Sequence, residues 1–99
     1  MAEIEYFYAA HSAFAYIGSA LLSRIAAEGG HTIVHRPYDL RRSMTAQGHG
    51  ATGGLTPQRR AYFFGRELVR WAEYRGVPIM SAIPTHHAND IGLPNRVLI

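Results

Sequence analysis

Ninety-nine residues, 47% of them hydrophobic, describe one small globular unit with a modest core. Cysteine is absent, which excludes a disulfide, a thiolate metal site and dithiol exchange within these residues. The formal charge is +3 and all ten basic residues are Arg, so no lysine Schiff base or lysine general base exists here, while guanidinium groups remain for carboxylates.

Met1 leads into the apolar run Ile4-Glu5-Tyr6-Phe7-Tyr8 without a basic leader or a long uncharged stretch, and the expected location is cytoplasmic, with no membrane partner. Glu3 to Ala9 reads as a buried strand. From Ser12 to Glu28 the apolar residues Phe14, Ile17, Leu21 and Ile25 recur at helical spacing, with Ser12 as N-cap and Gly29-Gly30 as stop. His31 to Arg36 favours a strand that Pro37 ends, and His31 and His35 read as exposed edge residues. Strand, helix and strand make a βαβ unit with parallel strands and a right-handed crossover.

After Pro37 the pattern breaks. Tyr38 to Leu55 is glycine-rich and reads mainly as loop, with one helical turn near Leu40 to Ala46. Thr56-Pro57 is an N-cap followed by a first-turn proline, and Ala61, Phe64, Leu68 and Ala72 form the apolar stripe of a helix that runs to Arg75 before Gly76. Glu67 and Trp71 stand one turn apart beside it. The Arg residues are scattered over such surfaces and do not gather in a run, which speaks against nucleic acid. Val77 to Ile99 carries Pro78, Pro84 and Pro94 and ends on an apolar segment that reads as a helix cut short. Two parallel strands do not cover both faces of a sheet, so the expectation is an incomplete unit, finished by a second copy or by further chain. The expected division is a βαβ half over 1–37 and a helical insertion over 38–99.

The strand-to-helix junction at Ser12 concentrates the chemistry. Unpaired N–H groups and the positive end of the helix dipole favour an anion there, and a serine hydroxyl donates to a bound thiolate by the logic that lowers a cysteine pKa at a helix N-terminus. The plainer reading is an ordinary cap.

The stretch Tyr6-Phe7-Tyr8-Ala9-Ala10-His11-Ser12-Ala13-Phe14-Ala15-Tyr16, then His35-Arg36-Pro37, then Tyr62 to Gly76 with Glu67-Leu68-Val69-Arg70-Trp71-Ala72, followed by Gly76-Val77-Pro78, resembles the 2-hydroxychromene-2-carboxylate isomerase family. That family is related to kappa-class glutathione transferases and, more distantly, to DsbA-like disulfide oxidoreductases. The resemblance implies the first half of a thioredoxin-like α/β fold followed by a mainly helical insertion. It also implies a glutathione-dependent isomerase of an aromatic-catabolism carboxylate, with Ser12 at the glutathione sulfur and His11, Phe14 and His49 around the cofactor. A kappa-like transferase, which consumes glutathione, and a non-catalytic thioredoxin-like binding module are the alternatives. In place of the redox Cys-x-x-Cys stand Ser12-Ala13-Phe14-Ala15. Where the family carries Lys-Ala-Thr-Gly-Asn this chain has Thr45-Ala46-Gln47-Gly48-His49, and Ala13 replaces the usual Pro.

Other residues invite weaker readings. His11, beside Ser12, has the pKa range of a base or a carboxylate partner. His86, His87, Asp90 and His49 have ligand chemistry but no zinc spacing, so no metal is expected. Tyr62, Phe64 and Trp71 read as core or as the wall of an aromatic substrate pocket, with Arg41, Arg42 or Arg59 for its carboxylate. Gly48 to Gly54 lacks the strand and Lys of a phosphate loop.

Overall fold

The structure is a computed structural model and describes residues 1–50 and 54–99. In chain order it contains β1 (Glu3–Tyr8), α1 (Ala13–Glu28), β2 (Thr32–Pro37), α2 (Leu40–Ala46), α3 (Pro57–Ala61), a π-helical segment (Tyr62–Glu67), α4 (Leu68–Arg75) and α5 (Gly92–Leu98). The fold is mixed α/β, a βαβ unit followed by helices, consistent with a partial thioredoxin-like fold. The chain forms two compact units, Met1–Tyr38 with His86–Ile99, and Asp39–Thr85.

In the first unit β1 and β2 pair in parallel, from Glu3 opposite Thr32 to Tyr8 opposite Pro37. Ile4, Tyr6 and Tyr8 are half-buried, whereas Glu3, Glu5 and Phe7 are exposed, Phe7 at 62%. The expected buried strand is therefore a half-buried one. Successive side chains of a strand point to opposite faces, and among the described residues this sheet has two strands to shield them. On the outer face Arg36 Nε donates to Glu5 Oε2 at 3.2 Å, an exposed pair that contributes little to stability.

Ser12 caps α1, and at the other end the His31 N–H donates to the Ala26 carbonyl at 2.8 Å while Gly30 takes φ +69°. Ile17 and Ala26 are buried along the helix, but Ile25 is 54% exposed, a departure from the expected stripe. Ala26 takes the inward place at the end of the helix, because its small side chain permits close approach where Ile25 points to solvent. Ala9 and Ile91 complete the buried apolar set of this unit. α5 packs on β2, and the segment from His86 onward belongs to the same compact unit as the βαβ element.

The second unit begins with α2 as expected, capped by Asp39, whose Oδ1 accepts from the Arg42 N–H at 3.1 Å. Thr56 caps α3 through Oγ1, which accepts from the Arg59 N–H at 3.2 Å, and Pro57 follows in the first turn. The helical path then runs through the π segment to Gly76, whose φ of +66° closes α4. The π segment corrects the expectation of one α-helix. Its wider i→i+5 turn breaks the period of 3.6 on which the stripe was drawn. Of the stripe, Ala72 is buried and Leu68 half-buried, while Ala61 and Phe64 are exposed. Part of the Gly48 to Gly54 run lies outside the described residues. Among the described residues no helix is long and apolar enough to cross a membrane.

Candidate functional site

β1 ends at Tyr8, and a tight turn carries the chain to Ser12, whose N–H donates to the Ala9 carbonyl at 3.0 Å. Ser12 has extended backbone angles, its Oγ accepts from the Ala15 N–H at 3.2 Å, and its carbonyl accepts from the Tyr16 N–H at 3.0 Å. This is an N-cap in full. A hydroxyl that accepts through a lone pair still has its O–H to donate. The cap and a second role in holding an anion are therefore compatible at one oxygen.

His11 lies in the turn, and its ring meets His87 edge-on with centroids 5.5 Å apart. An open depression of about 330 Å³ is bordered here by Ala10, His11, His86, His87, Asp90 and Pro94. Asp90 Oδ1 accepts from the Gly92 N–H at 2.7 Å, which organises the entry to α5. Among the described residues no three His, Cys, Asp or Glu side chains converge as a metal-ligand set.

The other residues singled out in the sequence divide between the units. Phe14 is half-buried in the first turn of α1, in the same unit as Ser12 and His11. Arg41, His49, Tyr62 and Trp71 belong to the second unit. Arg41 is half-buried in α2 and its carbonyl accepts from Thr45 Oγ1 at 2.9 Å. His49 is exposed, with its backbone N–H on the Met44 carbonyl. Tyr62 and Trp71 are 49% and 42% exposed, and Phe64 is exposed with them. Trp71 Nε1 donates to Glu67 Oε1 at 2.9 Å, the one-turn spacing seen in the sequence, and Arg75 stacks over the Trp71 ring.

A second polar group joins β1 and β2. The Tyr8 hydroxyl and His35 Nδ1 are 2.8 Å apart, and the Tyr6 ring stacks on Tyr8 with centroids 4.4 Å apart. The Tyr6 hydroxyl makes a long contact of 3.5 Å to the Ala15 carbonyl, linking this stack to the first turn of α1. Burial, and secondarily the neighbouring Tyr8 phenol, push the Tyr6 hydroxyl above its ordinary value. The alternation of β1 carried the signal, since it puts Tyr6 and Tyr8 on one face, but only the strand register brings His35 beside them. His35 is exposed, as expected, and His31, which is half-buried, accepts from the Ala2 N–H through Nδ1 at 2.9 Å.

In comparison with known proteins the chain matches no family model, no curated protein and no solved structure.

Proposed function

We propose that this chain provides the thiol-binding part of a glutathione-dependent isomerase acting on an aromatic-catabolism carboxylate of the 2-hydroxychromene-2-carboxylate type. The observation that carries the reading is the junction of β1 and α1, where Ser12 caps the helix and keeps a hydroxyl proton to donate. The resemblance of three sequence blocks to the isomerase family, in the same order, supports it. Glutathione, when bound, supplies a thiolate that adds reversibly to a conjugated carbon. Ser12 orients and holds that sulfur in its anionic form through the O–H and the field of α1. His11, in the turn beside it, is the group proposed for a cofactor carboxylate. Arg41, His49, Tyr62 and Trp71 have no assigned step.

The test is calorimetric titration of the chain with glutathione near neutral pH, beside Ser12→Ala and Ser12→Asp. Asp caps a helix as well as Ser but donates no proton and repels a thiolate. Binding by the wild type that is lost in both variants supports the reading. Absence of binding by the wild type, or equal binding by Ser12→Asp, overturns it.

A second reading, a non-catalytic thioredoxin-like binding module, is favoured by one observation: among the described residues the sheet has two strands, with Phe7 exposed on its outer face. A chain that binds no glutathione and elutes from a sizing column as an associated species supports this reading instead.

A further inference from the structure

Tyr8 and His35 lie toward the C-terminal ends of β1 and β2, the end of a parallel sheet at which α/β proteins bind ligands. Ser12 follows at the same end of β1. The stack of Tyr6 on Tyr8, with the Tyr6 hydroxyl at the Ala15 carbonyl, holds the pair alongside the first turn of α1. The 2.8 Å contact allows two proton arrangements. In one, Tyr8 donates its proton to a bare Nδ1 and the pair is closed. In the other, Nδ1–H donates to the phenol oxygen, and the Tyr8 O–H is left pointing away from the ring as a polarised donor. A side chain used for stacking alone would not need the imidazole at hydrogen-bond distance.

We infer that Tyr8, polarised by His35, is an oxyanion-binding donor that stabilises negative charge on a carbonyl oxygen of a conjugated keto-acid substrate. The inference rests on the isomerase reading for its substrate class. As the sulfur–carbon bond forms at the conjugated carbon, the C=C pair shifts and the carbonyl oxygen takes the charge as an enolate. Tyr8 donates a hydrogen bond to that oxygen and keeps its proton. The former double bond is now single and rotates. Return of the oxygen charge re-forms C=O and C=C, and the thiolate leaves, so no oxidant, reductant or net proton is needed. Tyr8 touches the reacting atoms in this scheme, and His35 is a positioning residue.

The first test is the ring-nitrogen ¹⁵N resonances of His35 in the full chain. A protonated Nδ1 supports the proposal, and a bare Nδ1 accepting from Tyr8 overturns it. The second test uses 4-nitrophenolate as an oxyanion probe. The expected result is binding by the wild type with a blue-shifted absorbance band, weakened by about tenfold or more in Tyr8→Phe, as for loss of one hydrogen bond to a charged group. In His35→Phe the band shift is smaller. An unshifted band, or equal affinity in Tyr8→Phe with its circular dichroism unchanged, overturns the proposal. Glutathione calorimetry on Tyr8→Phe separates the two ideas. Failure of the wild type to bind glutathione while it still shifts the phenolate band sinks the isomerase reading and leaves the oxyanion donor standing. Glutathione binding without a phenolate shift does the reverse.

Discussion

The imidazole of His11 stands edge-on to that of His87, with ring planes at 68° and centroids 5.5 Å apart. The contact fastens the turn before α1 to the segment before α5 within one unit. An edge-to-face pair of this kind contributes about 0.5–1.5 kcal/mol beyond its buried area. His87→Ala is expected to lower stability by about that amount in urea denaturation and to move the His11 ring-proton resonances. His86→Ala, at an exposed neighbour, leaves those resonances in place.

Ser12→Ala removes the acceptor of the Ala15 N–H, and the expected loss is about 1 kcal/mol of stability. Ser12→Asp retains the cap and keeps the urea midpoint close to wild type. This difference lets the glutathione titration be read without the ambiguity of a weakened helix.

The Tyr6 hydroxyl is held above its ordinary 10.0 by burial first and by Tyr8 second. A raised folded-state pKa means that folding favours the neutral phenol. Its contribution is fully present below the unfolded value and is lost as pH rises through the folded one. Stability is therefore expected to fall in the alkaline range above about pH 10, more steeply in the wild type than in Tyr6→Phe. Urea midpoints across that range, with absorbance titration of the phenols, check this.

Two glycines have opposite expectations. Gly76 closes α4 at φ +66°, so Gly76→Ala is expected to cost about 1–2 kcal/mol. Gly18 sits inside α1, and among the described residues no neighbour would lie within 4 Å of an alanine methyl there, so Gly18→Ala is expected to raise stability by about 0.5–1 kcal/mol. Thermal melts of both variants measure the contrast.

The local signals were legible in the sequence. Ser12, Thr56-Pro57, Gly29-Gly30 and Gly76 mark helix ends by side-chain hydrogen bonds or by left-handed backbone, and each was readable without knowing its tertiary neighbours. The helical turn expected near Leu40 to Ala46 is α2 for the same reason, since Asp39 caps it. What failed depended on neighbours. Hydropathy alone implies a buried β1 and an inward Ile25, but among the described residues the sheet has two strands, and Phe7 and Ile25 are exposed. The meeting of His11 with His87 and of Tyr8 with His35 depends on return of the chain after Thr85 and on strand register, and neither leaves a local pattern. Ser12, legible as the N-cap of the first helix, caps α1. Arg41, His49, Tyr62 and Trp71 belong to the second unit, and their proposed roles rest on residue chemistry and resemblance, not on any spacing in the sequence.

The π segment has a consequence for length. A π turn holds one residue more than the α turn it replaces. Removal of a single residue from Tyr62–Glu67 would let the path relax to α geometry while the Thr56 cap and the Gly76 stop keep their mutual phase. The same deletion in α1 would rotate everything beyond it by about 100° and throw Ala26 outward. Insertions and deletions among close variants of this chain are thus expected to collect in one turn of the second unit, where the helix already carries its spare residue.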